Sequence, residues 1–205
     1  MITNIYFIIF RNSYIIKLRK GLVIIMKIII NDKNIKEEEI IEIKEKVRSL
    51  ILTDDNKLLI ANYAGVILLP GGKIDNNESV KKALIRELQE ELGIIYTEEE
   101  LEYLLTLEYY QDNYPKVNSN NINRKVTTYY YLTKFKAIVN DNQILSEREK
   151  NNNFYLELIS LEELKERLNK ENNNPRSYYF NRELNLVIDN YFNRNKVKKL
   201  VKEND

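Results

Sequence analysis

Cysteine and histidine are both missing from the chain, and glycine and proline are scarce, with five and three residues. The absence of cysteine excludes disulfides and thiolate nucleophiles, and the absence of both residues excludes the usual structural zinc sites and Ser-His-Asp triads. Acid–base chemistry at neutral pH must therefore come from carboxylates, lysine, tyrosine or metal-bound water. Glutamates that bind a hard metal ion are the natural candidates.

The chain also lacks an excess of one charge, because it has 32 Lys and Arg residues and 31 Asp and Glu residues. Proteins that grip nucleic acid by neutralising its phosphates are usually strongly basic. We therefore expect no nucleic-acid partner, and we expect any phosphate-bearing ligand to be small. The 205 residues, of which 43% are hydrophobic, suffice for one globular domain with terminal extensions.

The apolar residues 1–25 lack the roughly 20 uninterrupted apolar residues of a membrane-spanning helix, and they lack a signal-peptide cleavage site. Four basic residues interrupt the run: Arg11, Lys17, Arg19 and Lys20. We therefore expect no membrane partner and a cytoplasmic protein. Our hypothesis is that Met26 is the true start, and the alternative is an amphipathic segment that lies on a membrane surface. The predicted domain covers residues 26–195, followed by a charged tail, 196–205.

Short runs rich in Ile, Leu and Val alternate with turn-forming residues, which indicates strands. The predicted strands are 47–53, 57–62, 65–69, 101–110, 125–137 and 154–159, and the predicted helices are 78–92, 161–169 and 178–193. Residues 54–56 predict a hairpin turn, and the Asn-rich residues 111–123 predict a loop. Ser160 with Glu163 predicts a helix N-cap. The order is not a regular β-α-β alternation, so we predict an α/β protein of the α+β type, with a mixed sheet flanked by helices.

Residues 71–94 read GGKIDNNESVKKALIRELQEELGI and carry a specific pattern. Its fixed positions are Gly72, Glu78, Arg86, Glu87, Leu88, Glu90, Glu91, Gly93 and Ile94. The pattern resembles the complete signature of the Nudix hydrolases, the Nudix box, and no position departs from it. The resemblance implies a mixed β-sheet sandwiched between helices, with a loop-helix-loop catalytic segment.

The residues of this segment also suit a helix between two loops. Asp75 can cap the helix, with Glu78 returning the bond in a capping box. Gly93 can end the helix in the left-handed conformation. Three leucines at four-residue spacing form one apolar stripe that predicts packing against the sheet: Leu84, Leu88 and Leu92.

Glu87, Glu90 and Glu91 crowd one patch of this helix at positions i, i+3 and i+4. Acidic helix faces are commonly just solvated, but like charges at this spacing cost roughly 0.2–0.5 kcal/mol per pair, which favours a compensating cation. Oxygen ligands alone favour Mg²⁺, or Mn²⁺. The resemblance implies that these three glutamates ligate the metal together with the backbone carbonyl of Gly72, and that Arg86 orients Glu87. Arg86, Glu87 and Glu91 are thus the predicted catalytic residues of the box.

The resemblance further implies a glutamate general base from a loop before the last strand. Glu147 and Glu149 are the two candidates, and solvated loop charges are the alternative interpretation of both. For the phosphates we predict contacts from Arg48, Lys73 and Arg124, although Arg124 could equally be a solvated edge charge.

An aromatic side chain is expected to stack on the base of the substrate, and Tyr110 is the predicted one. In a chain with 15 tyrosines, packing is the competing interpretation.

The function that the resemblance implies is Mg²⁺-dependent hydrolysis of the pyrophosphate linkage in a small nucleoside diphosphate derivative. The classes considered are nucleoside triphosphates, dinucleoside polyphosphates, ADP-ribose and nucleotide sugars. A non-catalytic module that senses nucleotides is the alternative. Isopentenyl diphosphate isomerases resemble these proteins but need a catalytic cysteine, which this chain lacks. Homodimerisation is left open.

Overall fold

The structure, a computed structural model, describes residues 6–10, 13–17, 25–116, 120–170 and 174–202. Its strands are β1 (Tyr6–Phe10), β2 (Ser13–Lys17), β3 (Ile25–Ile30), β4 (Glu42–Leu52), β5 (Leu58–Tyr63), β6 (Val66–Leu68), β7 (Glu102–Tyr114), β8 (Ile122–Lys134) and β9 (Tyr155–Ile159). Its α-helices are α1 (Val80–Leu92), α2 (Glu147–Asn151), α3 (Leu161–Asn169) and α4 (Ser177–Lys202).

The strands join in one mixed sheet with the order β1-β2-β3-β7-β8-β4-β5-β6, and β9 pairs with β5. The β3–β7 and β4–β8 pairs are parallel, and the other pairs are antiparallel. The predicted hairpin is confirmed, because Ile51 and Leu52 of β4 pair with Leu59 and Leu58 of β5 across residues 53–57.

The sheet carries a hydrophobic core on each face, since successive strand residues point to opposite sides. On one face Val47 and Ile51 pack with α1, whose leucine stripe is completely buried. On the other face Leu50 packs in a cluster with residues of α3 and α4, such as Leu164 and Val187. A mixed sheet thus lies between helices, which confirms the predicted fold class.

The strands extend beyond the predicted bounds in the Asn-rich region. Residues 111–114 continue β7 where a solvated loop is expected, and Gln111 and Tyr114 are buried. The reason lies across the sheet, because Gln111 accepts a hydrogen bond from Nε of Arg124 at 2.6 Å and the ring of Tyr114 stacks on the same guanidinium. A buried arginine therefore organises a segment whose composition favours a loop.

The ends of the helices agree only partly with the sequence. Gly93 ends α1 in the left-handed conformation with φ 73°, and Ser160 caps α3 by accepting the N–H of Glu163, both as predicted. The prediction that Asp75 caps α1 is wrong. Ser79 is the N-cap, and its hydroxyl accepts the N–H of Lys82 at 3.3 Å.

Two regions bear on the predicted boundaries of the domain. Within residues 1–25 the structure describes β1, β2 and the first residue of β3, while residues 1–5, 11–12 and 18–24 lie outside the described part. At the other end α4 includes residues 196–202 of the predicted tail. No helix in the described part of the chain is long and apolar enough to cross a membrane. The domain limits remain predictions.

Candidate active site

A cavity of about 510 Å³ opens where the loop after β6 meets β4, α1, α2 and α4. Eight Lys and Arg side chains line it, together with four carboxylates. The carboxylates belong to Glu42, Glu87, Glu91 and Glu149. The site is therefore rich in both charges although the chain as a whole is nearly neutral, and the cationic excess suits an anionic ligand.

Glu87 and Glu91 of α1 bring two carboxylates to this cavity. They lie four residues apart, beside the leucine stripe that holds α1 on the sheet, so they point to the same side of the helix. Both are buried, with 9% and 4% of their surface exposed. Burial raises the pKa of Glu87, and it raises the pKa of Glu91 well above its ordinary value.

The two glycines of the loop bring the backbone close to these carboxylates. Gly71 has φ +121°, and a Cβ there would overlap the backbone of Val47. At Gly72 a Cβ would overlap the carboxylate of Glu87. The N–H of Gly71 donates to Glu91 at 2.8 Å. Because a glycine has no Cβ, the backbone at both positions can lie this close to its neighbours.

The loop is also fixed to strand β4. The N–H of Val47 donates to the carbonyl of Gly72 at 3.0 Å. The guanidinium of Arg48, which is buried, donates to the carbonyl of Leu69 and, at 3.2 Å, to that of Gly71. Arg48 therefore holds the loop in place in addition to lining the cavity.

Arg86 is the centre of a hydrogen-bond network that joins the loop to α1. It donates to Glu78 at 3.1 and 3.0 Å and to the carbonyl of Lys73 at 3.1 Å. The same guanidinium donates to Glu87 at 3.0 Å and to Glu90 at 3.3 Å. The hydrogen bonds with Glu78 are the main reason that the pKa of Arg86 is raised. Arg86 thus contacts Glu87, which it was predicted to orient, and also Glu90.

The predicted cluster of three metal-binding glutamates is not gathered in this arrangement. Among the described residues, no three Asp or Glu side chains form a group that could hold a metal ion. Glu87 and Glu90 form ion pairs with Arg86, while Glu91 accepts a hydrogen bond from the N–H of Gly71. The donor chemistry nevertheless fits a hard divalent cation, because two buried carboxylates share one cavity and a nearby cation would offset the cost of their burial.

Of the two candidate bases, the structure brings only Glu149 to the cavity. Both lie on the short helix α2, which the sequence did not predict. Glu149 lines the cavity, and its negative charge contributes to the raised pKa of Glu91. The side chain of Glu147 is 84% exposed and forms an ion pair with Lys150 at 3.5 Å.

A family model described as the NUDIX domain matches residues 44–183, which is more than half of the chain and includes every residue that lines the cavity except Glu42. The chain belongs to the Nudix family. Nudix hydrolases generally use a divalent metal ion. The residues that line the cavity in α1 are therefore those of a Nudix box.

Two curated relatives match shorter segments. A CTP pyrophosphohydrolase of Escherichia coli (strain K12) is 42% identical over 55 residues, which are 24% of this chain and 41% of the relative. An 8-oxo-dGTP diphosphatase of Proteus vulgaris is 48% identical over 40 residues, which are 20% of this chain and 36% of the relative. The chain thus spans less than half the length of the curated relatives that it matches.

Solved Nudix structures resemble the chain over a larger part. A NUDIX hydrolase from Nitrosomonas europaea has a TM-score of 0.49 and 16% identity, with 74% of this chain and 89% of that chain covered. A MutT protein from Methanosarcina mazei Go1 has a TM-score of 0.44 and 19% identity, with 63% and 83% covered.

Most of the residues that the sequence singled out meet in the cavity of this Nudix domain. Of the predicted residues, those that line it are Arg48, Gly72, Lys73, Glu87, Glu91, Arg124 and Glu149. Arg86 and Glu90 are joined to it through Glu87 and their own hydrogen bond. Glu147 and Tyr110 are not among the lining residues.

Tyr110 is directed away from the cavity by the alternation of β7. Its neighbour Gln111 contacts Arg124 on the cavity side, so Tyr110 points to the opposite face of the sheet. There its hydroxyl donates to Glu37 at 2.7 Å, and the ammonium of Lys125 lies 5.0 Å from its ring centre. The structure therefore does not place Tyr110 where it could stack on a base in this cavity.

Sequence reasoning missed several side chains that line the cavity. Among them are the aromatic residues Tyr114, Phe154 and Phe180 and the cations Lys46 and Arg176. Lys46 had a usable signal, since it alternates with Arg48 along β4 and must share its face. Phe180 and Arg176 come from the region of α4, more than 80 residues after the box, and no local pattern connects them to it.

Proposed function

We propose that this protein hydrolyses the pyrophosphate linkage of a small nucleoside diphosphate derivative and that Mg²⁺ is its cofactor. The observation that carries the proposal is the meeting of Glu87, Glu91 and Glu149 with a cation-rich wall in one cavity. Buried carboxylates beside cations suit a reaction in which a metal and a polyanion enter together. The family relationship supports the same reaction class.

Glu87 and Glu91 would hold the cation, and Glu90 would join them on release from Arg86. When bound, the divalent cation neutralises phosphate charge and makes a water molecule more acidic. Mg²⁺ usually binds one or two carboxylates and completes its ligands with water and substrate phosphates, so two buried glutamates are sufficient anchors. Because all the proposed ligand atoms are oxygens, with no nitrogen or sulfur, Mn²⁺ is the second choice.

Glu149 is the proposed general base. In the reaction, the oxygen of water forms a new bond to phosphorus while the bridging oxygen–phosphorus bond breaks, and the proton of the water passes to the carboxylate. Glu149 accepts hydrogen bonds at 2.7 Å from the N–H and the hydroxyl of Ser146, which fix its position at the cavity wall. A positioned base of this kind typically contributes a factor of about 10² to 10⁴ to the rate.

The remaining lining residues would bind the rest of the substrate. Arg48 and Lys73 flank the glycine loop and suit the two phosphates of the scissile linkage. Phe154 and Phe180 are partly exposed in the cavity and offer flat apolar faces to a base. We propose a small nucleotide as the partner, without nucleic acid or membrane, and the cytoplasm as the location.

The test is an assay of the purified chain with Mg²⁺ or Mn²⁺ against nucleoside triphosphates, dinucleoside polyphosphates, ADP-ribose and nucleotide sugars, ranked by kcat/KM. We expect release of phosphate, pyrophosphate or a nucleoside monophosphate from at least one substrate, and loss of that release in Glu87→Gln. Glu162→Gln, an exposed change on α3, is the matched control.

A sensor that binds nucleotides without cutting them is the second candidate. One observation favours it, namely that Arg86 engages two of the three predicted metal-binding glutamates and no group of three carboxylates for a metal exists among the described residues. A sensor would bind a nucleotide in calorimetry with or without Mg²⁺ and would release no product from the whole panel. Turnover that depends on the metal would eliminate this candidate.

A further inference from the structure

Four charged residues of β4 form a row along one face of the strand. Glu42, Lys44, Lys46 and Arg48 alternate with residues of the opposite face, and all four line the cavity. At about 3.3 Å per residue, Lys44 lies roughly 13 Å from Arg48 along the strand. The glycine loop lies at the Arg48 end, because the N–H of Ser49 donates to the carbonyl of Pro70 at 2.9 Å. From there the box segment runs beside the strand, since Lys73 pairs with Lys46 and the N–H of Ile74 donates to the carbonyl of Glu45 at 3.2 Å. Lys44 and Glu42 lie beyond this segment.

Three cations surround Glu42 at the far end of this row. Its carboxylate lies 3.2 Å from the ammonium of Lys44, 3.1 Å from that of Lys116 and 3.6 Å from the guanidinium of Arg124. One negative charge cannot balance three positive ones, so this end carries an excess of positive charge. The Arg124 side chain is only 5% exposed and is stacked on Tyr114, which fixes its position.

Lys46 lies between the two ends of the cavity. It forms no ion pair with any carboxylate in the described part of the chain, and its ammonium is 5.6 Å from the ring centre of Phe180. The pKa of Lys46 is lowered to about 7, first by burial and then by the charge of Arg48, with Glu183 of α4 opposing the shift. Glu42 and Glu183 thus offset only part of the positive charge along this wall, and an anion in the cavity would stabilise the charged form of Lys46.

We propose that Lys44, Lys46 and Arg124 form a distal anion subsite for a substrate phosphate beyond the scissile diphosphate. A diphosphate held at Gly71 and Arg48 is too short to reach Lys44, whereas a chain of four phosphates spans most of the row. The preferred substrate is then a nucleoside polyphosphate, whether it ends in a free phosphate or in a second nucleoside. This inference rests on the proposed hydrolysis.

Chain length is the variable that tests the subsite. We expect wild-type kcat/KM to rise from ADP-ribose to ATP and to adenosine tetraphosphate or diadenosine tetraphosphate, and the last two differ only in how the chain ends. In the Lys44→Met, Lys46→Met double variant, the loss with the tetraphosphates should exceed the loss with ADP-ribose about tenfold, the effect of removing charge-assisted contacts. Lys165→Met, an exposed change on α3, should match the wild type on every substrate.

Calorimetry with inorganic phosphates separates this inference from the proposed reaction. The wild type should bind tripolyphosphate more tightly than pyrophosphate, and the double variant should lose that difference. Equal losses on short and long substrates, or equal affinities for the two inorganic anions in the wild type, would overturn the subsite even if hydrolysis is found. If nothing is hydrolysed but the wild type prefers tripolyphosphate and the double variant does not, the proposed reaction fails and the subsite stands.

Discussion

The backbone N–H of Gly71 donates a hydrogen bond of 2.8 Å to the carboxylate of Glu91. This single contact links the end of the glycine loop to the buried side of α1. Because Glu91 is almost completely buried, this hydrogen bond and the positive charge of Arg48 oppose the cost of burying its charged form. Loop and helix are therefore parts of one site and not two neighbouring elements.

Replacement of Glu91 by glutamine should keep the shape of the side chain and remove its negative charge, so that the effect of the charge on activity can be measured separately. The amide oxygen can still accept the N–H of Gly71, so we expect the variant to fold, with a Tm within a few degrees of the wild type. If Glu91 holds the metal as proposed, the variant lacks a charged ligand, and we expect kcat for the best substrate to fall by about two orders of magnitude or more. Steady-state kinetics over a Mg²⁺ titration measures this. Unchanged turnover at saturating Mg²⁺ would remove Glu91 from the proposed site.

Alanine at the two glycines of the loop should have opposite effects. Gly71→Ala places a Cβ against the rigid backbone of Val47 in a conformation with φ +121°, so we expect at least about 1–3 kcal/mol loss in the free energy of unfolding. Gly72→Ala meets only the end of the flexible Glu87 side chain, which can move. We expect near wild-type stability but a large loss of kcat. Urea unfolding and kinetics on both variants make the comparison, and equal destabilisation would contradict it.

The pair Glu147 and Glu149 offers a matched test of the general base. Both are on α2, but only Glu149 lines the cavity. We expect Glu149→Gln to lower kcat by about 10² or more with little change in KM, because it removes the proton acceptor. Glu147→Gln should behave as the wild type. If Glu147→Gln is the slower variant, the assignment of the two residues must be exchanged.

The Nudix box could be predicted because the whole pattern lies within one short segment of the sequence. The spacing of Leu84, Leu88 and Leu92 decides which side of α1 is buried, and this side in turn directs Glu87 and Glu91. The same reasoning did not anticipate that Arg86 would engage Glu90 as well as Glu87, because the rotamers of long side chains are not set by spacing. The four-residue spacing thus predicts the leucine stripe of α1, but it does not predict the hydrogen bonds that Arg86 makes with the glutamates beside the stripe.

The rest of the cavity depends on contacts between distant parts of the chain. The face on which Tyr110 lies follows from the register of β7 with β8, in which Tyr110 pairs with Lys125 and Gln111 with Arg124, and this register is not visible in the local sequence. Helix α2 is too short for a periodic pattern, although its capping box of Ser146 and Glu149 is visible in the sequence. Phe180 reaches the site only because α4 packs across the sheet.

The base-binding residues can be tested by comparing Phe180 with Tyr110. The ring of Phe180 lines the cavity beside Lys46, and stacking of a base on such a ring is worth about 1–3 kcal/mol, so Phe180→Ala should raise KM about tenfold or more with a smaller change in kcat. Phe154→Ala, at the other aromatic wall, serves as a second variant if Phe180→Ala is unstable. Tyr110→Ala should leave KM unchanged, because that side chain contacts Glu37 and Lys125 on the opposite face. A rise in KM for Tyr110→Ala alone would mean that the base lies across the sheet from the carboxylates, and the cavity would then hold only the phosphates.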